Sequence, residues 1–124
     1  MRTTVLKHTL PDGSWHVDWL IEVDETPRPR VPTFRLADRP DQLRVPTFTA
    51  ERLTDHRRLY LDYEGPVSGG RGHVERLSTG RVINVALAED EIQLQVTLNG
   101  LAWHWQGARS GNGVWKFNCI APVD

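Results

Sequence analysis

An all-β fold is the class this sequence predicts, mainly antiparallel and arranged as a small closed or partly open β-barrel with short helical turns. Three observations carry that expectation. Apolar residues recur with a period of two along most of the chain, no long segment shows the 3.6-residue period of an amphipathic helix, and the alternating runs are short and punctuated by turn residues such as Asn99-Gly100. With 124 residues and 39% hydrophobic content, the chain suits one domain, 1–124, with a core of its own.

The elements follow in order. Segment 3–10 leads into Pro11-Asp12-Gly13, which is turn chemistry, and segment 15–23 returns as the second arm of a hairpin. In that arm Trp15, Val17, Trp19, Ile21 and Val23 share one face, expected to be core. His16, Asp18, Leu20 and Glu22 share the other, which is left available for chemistry. Residues 26–53 hold Pro27, Pro29, Pro32, Pro40 and Pro46, and this density disfavours a helix or a central strand because each proline removes a backbone donor. The same region repeats Arg-Val-Pro-Thr-Phe at 30–34 and 44–48, but two copies fourteen residues apart fit no solenoid class and read as coincidence.

A helical turn is expected at 52–58, and short strands resume after it. Leu59, Leu61 and Tyr63 alternate, then residues 82–88, then Ile92 to Leu98 by twos, then Leu101, Trp103 and Trp105, then Trp115, Phe117 and Cys119. Asn99-Gly100 is a two-residue hairpin signal, and Gly111-Asn112-Gly113 marks another turn. His104 alternates against Trp103 and Trp105 and is expected at the surface; His73, after the glycine turn, is weighed as a residue that lines a site and more readily as a structural one.

A net charge of −1 and a pI near 6.5 exclude the broad basic surface of a general nucleic-acid binder and leave room only for a local site. Lys7 and Lys116 are the lysines and the other thirteen of the fifteen cationic residues are arginine, which suits phosphate recognition but also follows from biased base composition. The single cysteine, Cys119, forms no intrachain disulfide and points to a reducing compartment. The first residues lack the apolar core of a signal peptide and no run reaches membrane-spanning length, so a cytoplasmic protein with no membrane partner is expected.

A turn centred on Asp12 pairs position 8 with position 16. His8 and His16 then share a face with Cβ atoms about 4.5–5.5 Å apart, and Asp18 follows on that face roughly 6.6 Å along the strand. Two imidazoles and a carboxylate can converge on one divalent cation and leave positions open for water and substrate; ligand type allows Mn²⁺, Zn²⁺ or Fe²⁺. Spacing alone does not establish coordination geometry, and an exposed strand face carries such residues without a metal as well.

The second constellation is Asp55-His56-Arg57-Arg58-Leu59-Tyr60-Leu61-Asp62-Tyr63-Glu64-Gly65, followed by a glycine-rich stretch to Gly72. Imidazole and phenol both donate hydrogen bonds to phosphate oxygens, and glycine lets backbone approach closely or turn sharply. Taken alone, Tyr60 reads as a half-buried barrel residue and the glycines as a tight turn.

Taken together, Lys7-His8, His16-Val17-Asp18-Trp19-Leu20-Ile21-Glu22 and the Asp55 to Gly65 segment resemble the phosphoesterase domain of bacterial DNA ligase D and its stand-alone relatives. The family pattern is Lys-His, then His-x-Asp-x-Arg-x-Glu, then Asp-His-x-x-x-Tyr-x-x-x-Glu-Gly, and the likeness extends to Leu98-Asn99-Gly100 and Trp115-Lys116-Phe117. The resemblance implies a small β-barrel with a divalent-metal site, Mn²⁺ first and Zn²⁺ second, that removes a 3′-phosphate or 3′-ribonucleoside from nucleic-acid ends in DNA repair. It implies His8, His16 and Asp18 as metal ligands and His56 and Tyr60 as catalytic and phosphate-contacting residues. A nucleic-acid 3′ end is the implied partner, and the chain shows no nucleotidyltransferase or polymerase segment, so a separate ligase or polymerase would act in trans.

Two departures shape that expectation. The spacer between His8 and His16 is two residues longer than in the family, and an even insertion preserves strand parity. Leu20 stands where the family has a phosphate-gripping Arg, and loss of one preorganised donor costs on the order of 10²–10³ in rate. Either Arg71, Arg57 or Arg58 supplies the missing guanidinium, or the chain is a catalytically weakened or inactive relative that serves as a nucleic-acid-binding or protein-interaction module.

Overall fold

The computed structural model describes residues 1–42 and 47–122. Its strands in chain order are β1 (Arg2–Thr9), β2 (Trp15–Ile21), β3 (Arg30–Val31), β4 (Thr33–Leu36), β5 (Thr47–Arg52), β6 (His56–Arg57), β7 (Gly65–Pro66), β8 (His73–Leu87), β9 (Glu91–Leu98), β10 (Leu101–Gly111) and β11 (Val114–Pro122). Eight of them close an antiparallel barrel in the order β1-β2-β4-β5-β11-β10-β9-β8, with β8 pairing back onto β1. The fold is therefore all-β, as the alternation predicts, and the barrel is closed. Among the described residues no helix is long and apolar enough to cross a membrane.

An eight-stranded barrel has an interior just wide enough for side chains to fill. Here Trp19, Phe34, Trp105, Trp115 and Phe117 fill it, each at most 2% exposed. The rings pack mostly edge to face, with centroids 5.2 Å apart for Trp19 and Trp105 and 5.2 Å for Phe34 and Phe117. The buried indole N–H of Trp19 donates to Thr3 Oγ1 at 2.8 Å, and that hydroxyl donates to the Leu20 carbonyl. A lumen packed in this way has no room for a ligand, so any site must lie on the outside of the barrel or at its rim.

The outside carries a second core. Leu6, Leu20 and Val74 on the outer face of β1, β2 and β8 are buried by Val31, Leu61 and Val67, with Tyr60 and Tyr63 packed alongside. The cover is the chain between β6 and β8, including a 3₁₀ turn at Arg58–Leu61, and Thr4 Oγ1 anchors it by donating to the Leu61 carbonyl at 3.0 Å.

This cover corrects several sequence expectations. The helical turn expected at 52–58 lies later, because residues up to Arg52 remain in β5 and His56–Arg57 pair with β3. Leu59, Leu61 and Tyr63 belong to the turn and its exit; their spacing serves packing against the barrel wall, and only Leu61 is fully buried. The outer face of β2 stays open only at its start, where His16 is part-exposed and Asp18 forms the floor of a cleft, since Leu20 and Glu22 lie beneath the cover. On the inner face, Trp15 is 50% exposed because β2 begins there at the barrel rim, with the Lys7 ammonium 4.9 Å from its ring centroid. The proline-dense stretch does contain central strands, β4 between β2 and β5 and β5 between β4 and β11; Pro27, Pro29 and Pro32 precede β4 and Pro40 follows it, so no proline interrupts either ladder. Of the second Arg-Val-Pro-Thr-Phe copy, residues 44–46 lie outside the described residues. His104 is half-buried on β10.

Gly80 sits where β1, β8 and β9 meet, opposite Thr3 on one side and Leu98 on the other. A Cβ there would lie 1.6 Å from the Thr97 carbonyl oxygen. Backbone on a closed ladder cannot retreat, so Gly80→Ala is expected to cost at least roughly 2–3 kcal/mol. A thermal midpoint equal to that of the parent protein would refute this.

Candidate metal centre

The turn at 10–14 sets the register of the first hairpin. Leu10 N–H donates to the Ser14 carbonyl, Gly13 N–H donates to the Leu10 carbonyl, and Asp12 accepts from the Ser14 N–H and hydroxyl. Pairing then runs back through Thr9 and Trp15 to His8 and His16, whose ring centroids are 4.9 Å apart at 77°. Asp18, two residues on, is 2% exposed. The donor atoms of His8, His16 and Asp18 all lie within 4.8 Å of one another. Three ligands with metal bonds of about 2.0–2.2 Å stand about 3.3–3.8 Å apart, so the widest separation in the cage closes by about 1 Å when a cation is held.

The ring nitrogens are assigned by their partners. His8 Nε2 is 2.8 Å from the Arg71 carbonyl, so the N–H belongs there and Nδ1, 3.9 Å from Asp18 Oδ2, carries the free lone pair. Gly72 makes that contact possible: its φ is +89° and a Cβ would lie 1.9 Å from the Thr9 carbonyl oxygen. Only glycine lets this loop run so close to β1. His16 Nε2 lies 3.3 Å from Asp18 Oδ1, buried and with no hydrogen-bond partner among the described residues. A buried imidazole nitrogen left without a partner beside a carboxylate is what a cation site requires, so the residues fit a divalent metal.

Asp18 also reaches across the cleft. His56 Nε2 is 3.5 Å from Asp18 Oδ2, and His56 Nδ1 donates to the Thr54 carbonyl at 3.0 Å. Arg35, directly opposite Asp18 in the β2–β4 ladder, places Nε 3.4 Å from Asp18 Oδ1. Burial pushes the Asp18 carboxyl up, but contacts from His16 and His56 and the Arg35 charge outweigh it and hold the group well below the usual carboxylate range. The contact with Asp18 raises His56 above its ordinary value against partial burial and the Arg35 charge, and the Thr54 carbonyl and the Asp18 charge add to the rise.

These groups open into a cleft of about 470 Å³ lined by His8, Asp18, Arg35, His56, Tyr60 and Arg71 among others. Tyr60 faces His56 with centroids 6.3 Å apart and packs on the second core. Arg71 contributes its carbonyl to His8, while its guanidinium is held at the rim by the Ser68 carbonyl and hydroxyl. Arg57 lines the cleft, but Arg58 turns away to the buried Glu22 at 2.5 Å. Exposed His73 is not part of the lining. Sequence reasoning missed Arg35, Arg30 and Thr54. The one signal for Arg35 was its place in an alternating Thr33–Leu36 run, which the neighbouring prolines obscured.

No protein-family model matches the chain, and no curated protein is significantly similar to it.

Proposed function

We propose that the protein is a metal-dependent phosphoesterase acting on nucleic-acid 3′ ends, removing a 3′-phosphate or 3′-ribonucleoside in DNA repair. One observation carries the reading: a buried carboxylate at the floor of the cleft, Asp18, is shared between the His8 and His16 cage and the His56 and Arg35 pair. His8, His16 and Asp18 would hold the cation, Mn²⁺ before Zn²⁺. When bound, it supplies a Lewis acid that polarises a phosphoryl oxygen and lowers the pKa of water.

The remaining groups bind and position. Protonated His56, oriented by Thr54, offers Nε2–H to a phosphoryl oxygen as negative charge develops. Arg35 presents a planar fork suited to bidentate phosphate contact, from the strand next to the one on which the family pattern has its Arg. Tyr60 closes the far side of the cleft and offers a phenol donor. The reading places the protein in the cytoplasm, working on ends that a separate ligase or polymerase then uses.

The test is release of phosphate from a 3′-phosphorylated oligonucleotide. Mn²⁺ is expected to support it, His16→Ala to abolish it, and His56→Ala to slow it on the order of 10²–10³-fold. Metal-supported release that is unchanged in both variants would sink the assignment. Leu20 favours a second reading, a relative that grips 3′ ends without turnover as a nucleic-acid-binding or protein-interaction module; tight binding of the same oligonucleotide by wild type with no release in any divalent metal would establish it.

A further inference from the structure

The cleft continues past His56 into a part that the metal cage does not use. β3 and β6 form a two-residue ladder of their own, in which Val31 pairs with His56 and Arg30 pairs with Arg57. Both arginines are exposed, and both line the same cleft as Asp18 and His56. Like charges directly opposite each other on a ladder are destabilising. Among the described residues most arginines are paired with a carboxylate, Arg39 with Asp41 and Arg58 with Glu22 for example, whereas Arg30 and Arg57, like Arg71 and Arg81, have none within 4.0 Å. Arg30 donates through Nη1 to the Asp55 carbonyl at 3.2 Å, which fixes the stem and leaves the rest of the fork free.

We propose that the Arg30–Arg57 pair is a second phosphate subsite, one that takes an internal phosphodiester of a strand whose 3′ end lies against Asp18 and His56. The proposal rests on the phosphoesterase reading for the direction of the strand. Three features favour a phosphodiester. Arg30 and Arg57, paired across the ladder one step from His56, have Cβ atoms about 4.5–5.5 Å apart, close enough for two guanidinium forks to converge on one anion. A bound phosphate removes the repulsion that the ladder imposes. The chain as a whole carries a net charge of −1, whereas this cleft is lined by Arg30, Arg35, Arg57 and Arg71 against only Asp18 and Asp55, a local excess of positive charge. The consequence is a preference for polynucleotide over mononucleotide, read through the backbone and independent of sequence.

The measurement is binding of a short single-stranded 3′-phosphorylated oligonucleotide and of a nucleoside 3′-monophosphate to wild type and to the Arg30→Gln, Arg57→Gln double variant. The variant is expected to bind the oligonucleotide about tenfold more weakly, with the slope of log affinity against log salt reduced by about 0.7, the increment for one phosphate of a single strand. Affinity for the mononucleotide is expected to stay unchanged, and the Arg30→Lys, Arg57→Lys double variant to recover part of the oligonucleotide binding. Because the pair is repulsive, neutralising it is expected to leave the thermal midpoint equal or higher, which a structural role would not do. Equal losses for both ligands, no loss for the oligonucleotide, or displacement of the oligonucleotide by an acidic peptide at comparable concentration would overturn the subsite. If wild type releases no phosphate yet binds the oligonucleotide through these arginines, the phosphoesterase reading falls and the subsite stands. If phosphate is released and the double Gln variant shows an unaltered KM for the oligonucleotide, the reading stands and the subsite falls. A wild type that binds neither ligand would overturn both.

Discussion

Leu20→Arg is expected to lower the thermal midpoint by roughly 10–20 °C and not to restore an active-site donor. Leu20 is fully buried between the outer wall of the barrel and its cover, packed with Leu6, Val31, Leu61, Val67 and Val74. Placing a guanidinium there loses the packing of a core leucine and buries a charge with no carboxylate in that cluster, at a cost of about 3–5 kcal/mol. Asp18 and Glu22, each two residues away on the same face, are already engaged, Asp18 by His16, His56 and Arg35, and Glu22 by Arg58 and by the Arg2 backbone N–H. A variant with an unchanged midpoint and faster phosphate release would show that position 20 still opens onto the cleft. The contrasting substitution is Arg35→Gln: Arg35 lies half-exposed beside Asp18, and its replacement is expected to leave folding intact while weakening the grip on phosphate.

Asp18→Asn is expected to remove divalent-metal binding altogether, a loss larger than the roughly 10–100-fold that follows deletion of an outer-shell partner. Titration of Mn²⁺ into the variant, followed by calorimetry, checks this; Asp90→Asn, far from the cage, is the control. The same variant changes the pH dependence of the metal-free protein. Asp18 is lowered in the fold, so its contribution is present above its unfolded value near 3.8 and is lost as pH falls through the folded one. His56 is raised, so its contribution is fully present below its unfolded value near 6.5 and is lost as pH rises through the folded one. The Asp18–His56 link is therefore strongest between those limits, and Asp18→Asn is expected to flatten both limbs of a denaturation profile against pH. Persistence of both limbs in the variant would assign them to other groups.

Part of the site was legible because it is local. The turn at Pro11-Asp12-Gly13 fixes which residues of the hairpin face each other, so the facing of His8 and His16 and the position of Asp18 follow from counting. The closing strands were legible for the same reason, since Asn99-Gly100 joins β9 to β10 directly. His56 and Tyr60 were legible only through resemblance, because nothing in their spacing says which part of the barrel they approach. The role of Arg35 was not legible, because its one signal, a place in the short Thr33–Leu36 alternation, was masked by the prolines around it. Its place opposite Asp18 depends on β4 pairing with β2 across the proline-dense connection, a contact made between segments far apart in the chain.

By itself, then, the sequence determined the strand periodicity, the hairpin registers and the presence of two imidazoles and a carboxylate on one strand-pair face, because each is a matter of neighbours within one or two turns. Only the tertiary structure decided which stretches of that face stay open. Closing eight strands fills the lumen with Trp19, Trp105 and Phe117 and forces the chemistry outside. The chain between β6 and β8 then buries Leu20 and leaves Asp18 at the floor of a cleft, because burying apolar surface on the outer wall is worth more to the fold than leaving that strand face to water.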